Sequence, residues 1–160
     1  MKRIITIAAL LLTFIAASAQ DGRSIYRKYS DAENVSAVYI SPAMFRLIGK
    51  LPNLTVGDKD TDIAPIIQTL SGLYIIDSNN PEVNEALRKD TEKYTDSSRY
   101  ELLMEAKEDG ELTSIYTAGS ETVVESFVMI TNSGSEMTFI CIDGRMNRDD
   151  LETLFAEEMM

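Results

Sequence analysis

Histidine and tryptophan are both absent from this chain, and cysteine occurs once, as Cys141. Without histidine there is no Ser-His-Asp or Cys-His catalysis, no H-E-x-x-H zinc protease and no imidazole metal site. A lone cysteine cannot form a disulfide within the chain, and with no histidine beside it no zinc site is expected either. No G-x-S-x-G elbow, S-x-x-K motif, P-loop or G-x-G-x-x-G occurs, which removes most common hydrolase and nucleotide-binding designs. Positive charge is scarce: 15 Lys and Arg face 26 Asp and Glu, for a net charge of −11. Counterion release at a phosphate backbone needs a basic face, so neither nucleic acid nor an anionic membrane surface is an expected partner. No cofactor is expected.

Long apolar runs are also missing, except at the start. Lys2 and Arg3 precede an uncharged stretch from Ile4 to Ala17, and Ala17-Ser18-Ala19 leads into Gln20-Asp21. A cationic end, a short greasy segment and small residues at −3 and −1 describe a secretory signal peptide. Cleavage is expected between Ala19 and Gln20. The stretch is shorter than the roughly 20 apolar residues that span a bilayer. Gln20 stands where a lipoprotein would carry its acylated cysteine. The expected product is residues 20–160, periplasmic or secreted, with no membrane span. It would carry 13 basic against 26 acidic residues, net −13. A chain of that size makes one ordinary domain, burying about two thirds of its unfolded surface.

Along that domain, Asp21–Ser30 reads as a short helix and Val35–Ile40 as a strand. Ser41-Pro42 caps a helix whose apolar side is Met44, Leu47, Ile48 and Leu51. Ile63, Ile66, Ile67 and Leu70 repeat the spacing, Ser71-Gly72 closes that helix, and Leu73–Ile76 is a short buried strand. Asn80-Pro81-Glu82 starts a helix that buries Val83, Ala86, Leu87 and Tyr94. From Tyr100 the period changes to two, with Tyr100, Leu102, Met104 and Ala106 on one side. Asp109-Gly110 then signals a hairpin. Strands over Leu112–Thr117, Thr122–Thr131 and Glu136–Ile142 complete a four-stranded meander. Asp143-Gly144 ends it, and Asn147 caps a last helix with Leu151, Leu154 and Phe155 as its stripe. The expected class is α+β: a mostly antiparallel sheet with helices packed on one face.

The remaining candidates for chemistry are few. Cys141 lies in the apolar run Phe139-Ile140-Cys141-Ile142 and reads as a small buried hydrophobe, since a nucleophilic thiol needs a base or cation beside it. Asp58, Asp60 and Asp62 open like a calcium loop. Ile63 then occupies the required glycine position and Thr69 that of the bidentate glutamate, so a solvated loop is the better reading. Glu101, Glu105 and Glu108 suggest glycoside chemistry. On a regular strand, however, Glu101 and Glu105 share a face about 13 Å apart, beyond the roughly 5–10 Å that two-carboxylate mechanisms use. The methionines are scattered as core filler. Seven tyrosines suit core edges and would equally serve an interface.

Several runs together resemble one family. They are Ile25-Tyr26-x-Lys28-Tyr29-Ser30, Val35-Ser36-x-Val38-Tyr39-Ile40-Ser41, Leu70-Ser71-Gly72-Leu73-Tyr74-Ile75-Ile76, and Tyr100-Glu101-x-Leu103-Met104 before Asp109-Gly110. They resemble the small exported Bacteroidetes proteins grouped as domain of unknown function 4252. The resemblance implies a Gram-negative envelope and the fold, but no activity, cofactor or site residue. From the leader, the acidity, the missing catalytic sets and the tyrosines, the function expected is a non-enzymatic periplasmic or secreted module that binds another protein, such as another envelope protein, or an envelope component, its oligomeric state open. The alternatives are a carboxylate-based hydrolase acting on glycans and a small-ligand carrier. Adding a chelator should leave the thermal unfolding midpoint unchanged; a large drop would reinstate Asp58, Asp60 and Asp62 as calcium ligands.

Overall fold

The computed structural model describes residues 21–50, 55–56 and 61–152. Capping side chains set where its helices begin. Asp21 accepts the Ser24 amide at 2.8 Å and starts α1 (Gly22–Tyr29). The Ser41 hydroxyl accepts the Met44 amide at 3.3 Å, and Pro42 opens α2 (Pro42–Ile48). The Asn80 side chain accepts the Glu82 and Val83 amides at 3.0 and 3.4 Å at the head of α4 (Pro81–Thr95). Each of these caps meets amides that the first helical turn leaves unpaired. Between α2 and α4 lie β2 (Thr55–Val56), β3 (Thr61–Asp62) and α3 (Ala64–Thr69), with β2 and β3 paired to each other.

The main sheet contains β1 (Val35–Ile40), β4 (Leu70–Ser78), β5 (Tyr100–Glu108), β6 (Glu111–Gly119), β7 (Val123–Asn132) and β8 (Met137–Asn147). Its order is β1-β4-β8-β7-β6-β5 and every neighbouring pair is antiparallel. The meander β5–β8 is thus present, and β4 and β1 extend it beyond β8. Asp109 (φ 49°) and Gly110 (φ 87°) form the two-residue turn between β5 and β6. Positive φ at both positions is the geometry that matches strand twist.

One side of this sheet carries the core. Tyr74, Ile76, Val128, Met137, Phe139 and Cys141 point to it and meet Ile25 and Tyr29 of α1 and Leu87 and Tyr94 of α4. Helix α4 also buries Thr91 and Thr95, absent from the expected apolar set. Their hydroxyls donate to the Arg88 and Thr91 carbonyls at 3.0 Å, so burial leaves no hydroxyl unpaired. Lys28 and Tyr29 of α1 both hydrogen-bond Asp90 of α4, at 2.5 and 2.6 Å, and tie the two helices together.

Four expectations are corrected. Strand β4 begins at Leu70 instead of following a helix stop at Ser71-Gly72, because Leu70 pairs with Gly144 across a bulge. A Cβ on Gly144 would lie 2.8 Å from the Thr69 carbonyl, so only glycine admits that approach. Asp143-Gly144 accordingly lies within β8, which runs on to Asn147. On the expected apolar side of α2, Met44 and Leu47 are 47% and 62% exposed and Ile48 is half-buried, and Phe45 is the buried residue instead. A bulge at Leu103 breaks the alternation of β5. Tyr100 and Leu102 therefore share the helix side, whereas Met104 and Ala106 lie opposite. Residues 148–152 are helical, and the Asn147 side chain accepts the Asp149 amide at 2.9 Å. Leu154, Phe155, Leu51, Asp58 and Asp60 lie outside the described residues, as do Ala19 and Gln20.

Phe139→Ala should cost about 3–5 kcal/mol, and Leu47→Ala less than about 0.5 kcal/mol. Urea unfolding midpoints of the two variants measure the difference.

Candidate functional site

Strand alternation gives the sheet a second face, and the register assembles it residue by residue. One row crosses all six strands: Val38, Ile75, Ile140, Met129, Ile115 and Met104 stand opposite one another in succession. Beside it runs Ile40, Leu73, Ile142, Phe127, Thr117 and Glu101. On its other flank lie Ser36, Asp77, Thr138, Thr131, Thr113 and Ala106. The first row is wholly apolar, the second largely so, and the third is a polar rim. Of these side chains only Thr117 is buried. Val38 and Met104, at the two edges, are 46% and 47% exposed.

A fully buried strand reads as a near-continuous apolar run, whereas a half-solvated one alternates with polar residues. Phe139-Ile140-Cys141-Ile142 and Leu73-Tyr74-Ile75-Ile76 are of the first kind, yet half of each faces outward. This contiguous apolar surface is the main candidate site. Its signal in the sequence is the missing alternation, which by itself reads simply as burial.

A second candidate lies at the opposite side of the sheet, where hydroxyls and the thiol form a chain. The Tyr100 hydroxyl hydrogen-bonds those of Tyr94 (2.5 Å) and Ser126 (3.2 Å), donating to one and accepting from the other. Cys141 Sγ is 3.8 Å from Tyr94 Oη and 3.6 Å from Ser126 Oγ, and donates to Asp143 at 3.5 Å. Burial, reinforced by the Asp143 carboxylate, pushes the Cys141 thiol up to about 12. Burial also raises the Tyr94 and Tyr100 hydroxyls. A protonated thiol among protonated phenols is a poor nucleophile. It is a small buried residue as expected, although with polar neighbours. Gly22 packs directly on it, leaving no room for a Cβ.

One hollow borders this network and a second lies at the Thr117–Glu101 end of the open face. One, of about 290 Å³, is lined by Asp21, Ser71, Tyr94, Arg99, Glu125 and Asp143. The other, of about 520 Å³, includes Arg99, Glu101, Ser120, Glu121 and Arg148. Both mix charges of either sign and neither is an apolar pocket. Glu101 and Glu105 do not share a face, which corrects the spacing expected of a regular strand. The Leu103 bulge sets Glu101 opposite Thr117 on the open side and Glu105 opposite Ser114 on the helix side. Glu105 instead pairs with Lys107 at 3.0 Å. Among the described residues no group of His, Cys, Asp and Glu side chains could hold a metal ion, and no helix is long and apolar enough to cross a membrane. Tyr26, Tyr39 and Tyr74 form a cluster with centroids 5.3–6.0 Å apart, and Tyr39 is 38% exposed beneath Arg23.

These features define an α+β domain whose antiparallel sheet has helices on one face and a broad apolar surface on the other. The chain belongs to the DUF4252 family, a domain of unknown function, which matches residues 29–154. No curated protein and no solved structure matches the chain.

Cys141 and the buried tyrosines carry a pH signature. Burial raises Tyr29 and Tyr74 to about 12 from an ordinary 10, and Cys141 to about 12 from 9. In each case the folded state holds its proton more tightly than the unfolded chain. Their stabilisation is complete below about pH 9 and is lost as pH rises toward 12. The urea midpoint should fall steeply across that window, and Cys141→Ala should remove the part of the fall nearest pH 9. A flat profile would contradict the burial of these groups.

Proposed function

We infer that this chain is an exported, non-enzymatic protein-binding module and that the open apolar sheet face is its binding surface. The carrying observation is the unbroken row Val38-Ile75-Ile140-Met129-Ile115-Met104. Monomeric proteins rarely expose a contiguous apolar patch above about 300–600 Å², and larger ones mark interaction sites. The leader ending at Ala19, the acidic composition and the single protonated thiol support the same reading. Hydrolysis by paired carboxylates draws little support from Glu101 and Glu105 on opposite faces. A carrier would need an enclosed apolar cavity, and both of these hollows are lined by charged residues.

A photo-crosslinking residue replacing Met129 should give covalent protein adducts in the native cell envelope. The same residue replacing Glu92, on the exposed side of α4, should give none. Absence of adducts from Met129, or equal yield from both positions, would sink the proposal.

A further inference from the structure

Resting on that reading of the open face, we propose that its occupant is a second copy of this chain, packed sheet to sheet about a two-fold axis parallel to the strands. Such an axis lays each row of one copy on the same row of the other, reversed in strand order. In the first row Val38 then meets Met104, Ile75 meets Ile115 and Ile140 meets Met129. In the second row Ile142 meets Phe127, Leu73 meets Thr117, and Glu101 meets Ile40 at the margin. In the rim Asp77 meets Thr113. Apolar side chains face apolar side chains throughout the first row and at the centre of the second, and neither acidic residue faces its own kind. An axis along the rows would instead lay the second apolar row on the threonine rim.

Area agrees with this occupant. At ~4.8 Å per strand and ~6.6 Å per row of alternate residues, six strands by three rows cover about 29 by 20 Å, or roughly 570 Å² before side-chain corrugation is counted. That approaches the ~800 Å² per partner of an ordinary specific interface. Aligned packing of two twisted sheets, about 10 Å apart and rotated by ~30°, buries such faces in sandwich folds. The face itself carries charge only at its margins, so nothing on it selects a cationic partner. Each copy is strongly acidic, so the copies repel one another at long range and salt should tighten the dimer. A partner held by opposite charge would loosen instead.

Sedimentation equilibrium of the chain, recovered after expression with its own leader, tests this. The expected result is a dimer whose dissociation constant falls between 50 mM and 500 mM NaCl. Ile140→Lys and Met129→Lys should each weaken it about 100-fold or more, since each buries an uncompensated charge. Both should keep the wild-type circular dichroism, because neither residue points into the helix-side core. If the lysine variants misfold, Met129→Cys provides the second route. Cys141 is buried, so the new thiol is the accessible one, and a short bis-maleimide should join two chains through it. A dimer indifferent to both lysines, or one whose Met129→Cys variant does not crosslink, would overturn the proposal. A monomer whose face binds a hydrophobic dye would also overturn it, while leaving the binding-surface reading intact. A monomer that binds no dye, and whose Met129→Cys variant resists maleimide, would overturn both.

Discussion

Phe139-Ile140-Cys141-Ile142 lies in β8, between β4 and β7, and the rest of the structure is arranged around it. Because its side chains are apolar on both sides, this strand cannot satisfy itself against one layer of helices. Phe139 and Cys141 receive Leu87, Tyr94 and Ile25. Ile140 and Ile142 lie on the opposite face, in register with Ile75 and Met129 and with Leu73 and Phe127. The helices explain half of the strand, and the unexplained half is where a functional role is most economically placed. In a soluble monomer outward positions next to a core are ordinarily polar, and here only the outermost row of that face, from Ser36 to Ala106, conforms.

Much of the architecture is legible in the sequence because its signals are local. Asp21, Ser41 and Asn80 each cap the helix that follows, and Asp109-Gly110 makes the turn its composition demands. Tyr100–Glu108 is a strand, as its period suggests, in spite of its helix-forming residues, since pairing with β6 outweighs propensity. The failures share one cause, which is that register is not local. The Leu103 bulge, the Leu70–Gly144 pairing and the passage of β8 through Asp143-Gly144 all depend on which strand lies alongside. A shift of one residue in an antiparallel ladder exchanges the faces, and this is how Glu101 and Glu105 come to be separated. The open face is hidden for the same reason: its rows exist only once six strands are placed in order.

The hydroxyl and thiol chain is invisible in the sequence, although each of its tyrosines and its cysteine stands out singly. Tyr94 sits on a helix, Tyr100 and Ser126 on two strands, and Cys141 on a third. Only the packing of α4 over the sheet brings them within hydrogen-bond range. Their arrangement also explains why polar side chains are tolerated so deep in the core: each hydroxyl finds another to donate to or accept from. Such a network fixes the seat of α4 more specifically than apolar contact alone, because a shifted helix would leave buried hydroxyls without partners.

The approach of Gly22 to Cys141 bears on how readily the thiol can be oxidised. Sulfur oxidation adds an oxygen of roughly carbon size, and the space beside Sγ toward α1 admits not even a methyl group. On that side an added oxygen would have to lift the start of α1, and with it the Asp21 cap and the packing of Ile25. The helix therefore acts as a stopper over the sulfur, and the chemical lifetime of the cysteine becomes a measure of how rarely that end of the molecule opens.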